Sequence, residues 1–244
     1  MDLAIIVAAI ALGAFVKGVT GAGLPLIAIP VMTMFLGVEH AVVIMTIPGV
    51  VSNAWLVWIH RRHLPEARDL RTLVGTGIVG AAAGTWLLKS LDPRFLSLVL
   101  AALIVGYAAV FVTRPGFRLR PGLTRYLSGP VGGVAGALQG ATGISGPLVS
   151  TYLHGYRFER AVYVVAGATL YLVFSVTQVF SLAGLGLYYL ERVWEGLLAL
   201  LPLVLIPLGN RVAGRLSRRA FEYIVLVLLL LMAAAMTYEA LFGG

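Results

Sequence analysis

A bilayer core of about 30 Å demands roughly 20 consecutive apolar residues of each helix that crosses it, and this chain is built almost entirely from such runs. Spans are expected at 41–59, 72–89, 94–113, 161–183, 193–209 and 220–242. Two further apolar regions, 3–37 and 126–156, carry interruptions. The runs are continuous rather than alternating at period two, and they are too long for barrel strands, so the expected class is an all-α polytopic membrane protein. With 60% hydrophobic and only 11% charged residues, a water-soluble globule is excluded. The opening MDLAIIVAAIALGAF lacks the positive n-region and cleavage site of a secretory signal and is read as part of the mature chain. Cysteine is absent, which removes disulfides, thiolate metal sites and thiol catalysis. No metal and no cofactor are expected.

The interruptions are one word written twice. Residues 18–25 read GVTGAGLP and residues 140–147 read GATGISGP, so two glycines, a threonine and a proline recur 122 positions apart. Leu26 and Leu148 keep that offset, and Glu39-His40-Ala41 matches Glu159-Arg160-Ala161 at an offset of 120. The chain therefore divides into repeat 1 (1–122) and repeat 2 (123–244).

Charge sets the topology. Arg61, Arg62, Arg68 and Arg71 fall in one loop, Arg114, Arg118, Arg120 and Arg125 in a second, and Arg211, Arg215, Arg218 and Arg219 in a third. The positive-inside rule places all three in the cytoplasm. The net charge of +8 sits at span ends rather than on an aromatic-bearing surface, which argues against nucleic acid. A single crossing by 126–156 would put the third loop outside. Parity returns if that region enters from the cytoplasm, turns at GATGISGP and goes back, with arms over 126–139 and 148–156 of about 21 and 14 Å. By the same logic 3–37 forms a hairpin from the outside, with both termini outside. Each repeat is then one re-entrant hairpin plus three transmembrane helices, and the second is inverted relative to the first. A kinked continuous helix through each motif would instead give four spans per half and parallel repeats.

Non-helical backbone at membrane depth costs several kcal/mol per unpaired group unless it is buried in protein or lines a wet cavity. Such a break points to a ligand. Gly18, Pro25, Gly140, Gly146 and Pro147 are expected to make the helix breaks. The returning helices begin at the apices, so their free amides and positive dipole ends favour an anion. The candidate binding set is the backbone around Gly21, Ala22 and Gly23 and around Gly143, Ile144 and Ser145, with the hydroxyls of Thr20 and Thr142. Lys17 and Gln139 stand at equivalent positions just before the motifs, and a lysine deep in an apolar region marks a functional site by default. Each has a plainer alternative: hydroxyls cap helices or bond their own backbone, and a lysine snorkels to the headgroups. Asn53 and Thr169 lead two sets of polar residues, Pro48, Ser52 and Asn53 in one span and Thr169, Ser175, Thr177 and Gln178 in its counterpart. These could close the site or simply join helices by hydrogen bonds.

The paired Gly/Thr/Gly/Pro segments, at the start of each half of a basic membrane protein of this length, resemble the sulfite exporter TauE/SafE family, also called TSUP transporters. The match rests on Gly18, Gly21, Gly23 and Pro25 and on Gly140, Gly143, Gly146 and Pro147. A leucine stands inside GAGLP where the family often shows a denser glycine run. The resemblance implies export of sulfite, a sulfonate or another small organosulfur anion across the inner membrane of a bacterial cell. The expected partners are that anion, the lipid bilayer and a coupling ion such as H+, with alternating access about a site at mid-membrane between the two apices.

Two other functions compete. A passive anion channel would use the same site. Gly143-Ile144-Ser145-Gly146 also fits the G-x-S-G serine motif of rhomboid-type intramembrane proteases, which need a histidine beside the serine. Three of the four histidines, His40, His60 and His63, fall at span ends, and His154 lies nine residues past Ser145 on the same arm. No HExxH or GxxxxGK[ST] motif is present. The chain is expected not to be an enzyme.

Overall fold

The computed structural model describes residues 2–20, 24–113, 123–213 and 218–242, and every regular element among them is a helix. In chain order these are α1 (Asp2–Thr20), α2 (Leu24–Leu36), α3 (Val38–His60), α4 (Leu70–Ser90), α5 (Pro93–Thr113), α6 (Leu123–Thr142), α7 (Gly146–His154), α8 (Arg160–Gly184), α9 (Leu190–Leu198), α10 (Ile206–Ala213) and α11 (Arg218–Phe242). Among the described residues six segments are long and apolar enough to cross a membrane: Asp2–Val19, Val38–Glu66, Pro93–Thr113, Arg160–Gly184, Leu190–Gly209 and Tyr223–Phe242. The protein is an all-α polytopic membrane protein.

Three details differ from the sequence expectation. First, the leading arms are longer than the motifs suggest: α1 runs through Gly18 to Thr20, and α6 runs from Leu123 through Gly140 to Thr142, about 30 Å in all. Second, α4, read as a span over 72–89, is long enough to cross but less apolar than the six, because it is rich in glycine and threonine. Third, the span read over 193–209 is not one helix. It is α9, a 3₁₀ turn over Leu201–Leu205 and α10. Pro202, in the first turn of the 3₁₀ segment, and Pro207, in the first turn of α10, each remove an amide hydrogen from the ladder, which favours a helix start at each place over one unbroken helix.

The chain divides into two compact units, and neither is a sequence half. Unit 1 takes 1–48, 91–115 and 189–244, and unit 2 takes 49–90 and 116–188. Each contains one copy of the repeated motif.

In unit 2 the glycines of α4 and α6 explain each other. A methyl group at Gly80 or Gly84 would overlap the carbonyl of Gly133 or Ala137, and one at Gly136 or Gly140 would overlap the carbonyl of Gly77 or Ala81. Backbone therefore lies directly on backbone, and the small-residue stripes exist to permit it. The contacts rise together in number along both helices, so α4 and α6 are parallel and start at the same end. α7 then doubles back. Thr124 to Thr142 is a rise of about 27 Å, yet the Tyr152 hydroxyl donates to the Thr124 carbonyl. Two residues past α7, the Tyr156 hydroxyl donates to Asp69 at 3.0 Å, just before α4. Burial above all, and then the hydrogen bonds with Tyr152 and Asp69, push the Tyr156 phenol up, so it remains a donor.

Unit 1 shows related packing. A Cβ at Gly13 would stand 2.7 Å from the Leu24 carbonyl and 3.3 Å from the Ala28 Cβ, so α2 folds back along α1. Near the end of α1, Gly209 of α10 lies so close that a Cβ there would overlap the Phe15 carbonyl and meet the Gly18 Cα at 2.8 Å.

Candidate functional site

The turn between α6 and α7 is built by one glycine and four polar side chains. Gly143 has φ +69°, a left-handed conformation that a side chain would strain, and it ends α6 while its amide still donates to the Gln139 carbonyl at 2.8 Å. Pro147 occupies the first turn of α7, where its missing amide hydrogen costs nothing. The break thus lies at Gly143–Ser145. Gly140 and Gly18, expected to break their helices, are helical; a Cβ at Gly140 would overlap the Ala81 carbonyl of α4, and the Gly18 Cα lies against Gly209 of α10.

Each hydroxyl at this turn is occupied. Thr142, fully buried, donates to the Leu138 carbonyl at 2.7 Å and accepts the Ile144 amide at 3.3 Å, the local bonding that the plainer reading of threonine describes. Ser145 stands where a helix cap would, but its hydroxyl does not cap α7. It donates to Gln139 Oε1 at 2.8 Å. Among the described residues, the amides of Gly146 and Leu148 therefore keep no hydrogen-bond acceptor. Gln139, 8% exposed, accepts from Ser145 through Oε1, and its amide nitrogen donates to no described residue.

The fourth side chain comes from α8. Gln178, 1% exposed, donates through Nε2 to the carbonyls of Gln139 and Gly140 at 3.0 Å each. These carbonyls belong to the negative end of the α6 dipole. Gln178 therefore covers two of the last four carbonyls of α6, and beside them stand the positive end of α7 and an amide nitrogen that bonds no described residue. From the sequence, Gln178 was one polar residue among several in its helix, with nothing to rank it above Thr169.

Thr169 and Asn53 are less engaged with the turn. Thr169 donates to the Val165 carbonyl at 2.7 Å, and Asn53, 9% exposed, donates to the Gly49 carbonyl at 2.8 Å. Both bonds are local to their own helix. Ser145 meets no described histidine: His154 Nε2 lies 3.4 Å from the Tyr163 hydroxyl, and the two rings stack at 4.8 Å.

In unit 1, Gly21, Ala22, Gly23 and the Thr20 side chain lie outside the described residues, and Pro25 is the second residue of α2. Lys17, half-buried, is in the last turn of α1 and makes no hydrogen bond or ion pair with the described residues. It adjoins the segment Phe15–Gly18 that packs on Gly209, two residues before Arg211. Among the described residues no group of three or more His, Asp or Glu side chains is placed to hold a metal.

A model of the family described as sulfite exporter TauE/SafE matches residues 5–236, nearly the whole chain. No match was found among curated proteins or among solved structures.

Proposed function

The chain belongs to the sulfite exporter TauE/SafE family, and from that premise we propose that it is a secondary transporter exporting sulfite or a small sulfonate by alternating access. The observation that carries the anion is the α6–α7 turn. First-turn amides of α7 and the amide nitrogen of Gln139, none of them bonded to a described residue, offer donors to a charged oxygen, while Gln178 covers the carbonyls of Gln139 and Gly140. Such donors are worth most where water is scarce. Thr142 and Ser145 hold this backbone in shape, and the equivalent segment 18–25, with Thr20 and Lys17, is proposed to offer donors to the same class of anion.

The inverted-repeat plan is part of this proposal, with support from the packing inside each unit. In unit 2 the hairpin of the second half lies parallel to α4 from the first, and in unit 1 the first-half helix α1 packs against α10 from the second. Gly140 and Gly18, equivalent in the repeat, both stand at these contacts. The proposal includes a bacterial inner-membrane location with both termini outside.

Reconstituted protein loaded with labelled sulfite, sulfate, a sulfonate or a carboxylate decides the matter. Accumulation of sulfite or the sulfonate against its own gradient is the expected result. Movement only down the gradient would make the protein a passive channel, and selective passage of cations or neutral solutes would end the anion reading.

A further inference from the structure

Four ionisable side chains meet in unit 1, on elements that carry none of the turn residues. Arg192 of α9 donates to Glu39 of α3 at 2.8 Å, and its guanidinium lies 4.6 Å from the centre of the Tyr189 ring. One residue along α3, His40 Nε2 is 2.7 Å from Glu195 Oε2. The side chains of His40, Glu195 and Arg192 are only 20%, 15% and 12% exposed, whereas Glu39 is 37% exposed. With a neutral imidazole the group holds two carboxylates and one guanidinium. These four side chains then sum to one negative charge, in surroundings where charge is poorly screened.

The hydrogen bond fixes where a proton would go. A carboxylate only accepts, so Nε2 is the donor and Nδ1 of the neutral ring remains open to protonation. Protonation there brings these four side chains to neutrality and turns the His40–Glu195 hydrogen bond into an ion pair. Imidazole is the side chain whose ordinary titration falls between pH 5 and 8. Among the described residues, the other charges on the elements packed here are few. α3 adds none beyond Glu39, α9 adds the exposed Glu191, and α1, which also packs on α9, carries only Asp2 and Lys17 at its two ends.

The placement gives the proton something to act on. α9 is nine residues long, and the 3₁₀ turn after it, with Pro202, separates it from the rest of its span. Gly196 sets it close against Ile44 and Ile47 of α3, and the two polar pairs complete the attachment. A change of charge at His40 is thus felt by a short helix not continuous with α10.

We propose that the His40–Glu195 pair is the proton-binding site through which anion movement is coupled to a proton gradient. This rests on the transporter reading above, and the test separates the two. Liposomes containing the full chain are assayed for sulfite exchange at equal pH, then for net accumulation under an imposed pH gradient with the membrane potential clamped. At one proton per anion, a gradient of one pH unit sustains about a tenfold anion gradient. The unaltered protein should reach it, whereas His40→Gln and Glu195→Gln should keep exchange and lose the accumulation. If exchange occurs but ignores the pH gradient, or if both variants accumulate normally, the proton site is overturned and the transporter stands. Absence of exchange in the unaltered protein removes the transporter and this inference with it. Should a variant lose exchange altogether, a pH indicator in weakly buffered solution gives the answer: sulfite addition must change proton binding in the unaltered protein, and no change overturns the assignment.

Discussion

Replacing Gln178 with leucine keeps the bulk of the side chain and removes both hydrogen bonds to the end of α6. The two carbonyls are not equivalent. Gln139 O retains the Gly143 amide at 2.8 Å, whereas Gly140 O loses its donor, because the Ile144 amide that would serve it in a continued helix is bonded to Thr142 instead. A buried acceptor left unpaired costs about 1–3 kcal/mol, and loss of one bond of a shared pair about 0.5–1.5 kcal/mol. The stability loss should therefore be about 2–4 kcal/mol. The effect on an anion is separate: an uncovered Gly140 carbonyl at a helix C-terminus, with that of Gln139 left one donor, disfavours negative charge by about 0.3–2 kcal/mol. That corresponds to affinity weaker by about 2- to 30-fold. Reversible unfolding in mixed detergent measures the first quantity, and titration of sulfite into purified protein measures the second. If Gln178→Leu unfolds and binds like the unaltered protein, Gln178 is not capping the helix and the electrostatic account of the turn fails. If stability falls and affinity does not, the capping stands but the anion is bound elsewhere.

Three other substitutions check different parts of the structure. Gly84→Leu should prevent α4 from seating on Ala137 and yield little monodisperse protein, whereas Gly75→Leu, with nothing within 4 Å of the added atom, should purify normally. Equal yields would refute the backbone-on-backbone contact. Lys17→Met should weaken sulfite binding more than Gln139→Met, since an ammonium contributes more than a neutral amide. Unchanged affinity would mean that Lys17 only snorkels. Single cysteines replacing Arg62 and Arg157 should label from the cytoplasmic side and one replacing Asp92 from the opposite side, and exclusive outside labelling at Arg157 would replace the second hairpin with a full crossing.

The membrane class and most of the spans could be read from the sequence because a run of about 20 apolar residues admits few other solutions. The second copy of the motif marked the α6–α7 turn, since φ +69° at Gly143 and the first-turn proline of α7 are backbone requirements that residue type alone expresses. What could not be read is partnership. Gly140 looks the same whether it breaks a helix or lies on Ala81, and only the position of α4 decides. Gln178 and Thr169 are both polar residues of one apolar helix, yet one reaches across to two carbonyls and the other bonds its own turn. The broken span α9–α10 did carry a signal. Pro202 and Pro207 stand in its middle, but an apolar run long enough to cross reads as one helix when hydropathy is the only measure.

The second motif holds two kinds of glycine, and each has its own structural reason. The first, Gly140, lets a long apolar helix lie against another helix from the other half of the chain, and the later Gly143 lets the same helix stop abruptly. Close packing without a break would give an ordinary span with every amide satisfied and nothing for an anion to bind. A break without close packing would leave a loose loop at membrane depth, with unpaired backbone groups costing several kcal/mol each. In unit 2 the two occur within four residues, from Gly140 to Gly143, with Gln178 bonding the carbonyls between the rigid pair and the turn. The free donors of α7 are therefore held by a helix pair that cannot rearrange without separating backbone from backbone. Preorganisation of this kind is what lets neutral groups bind a charged oxygen without first being ordered by it.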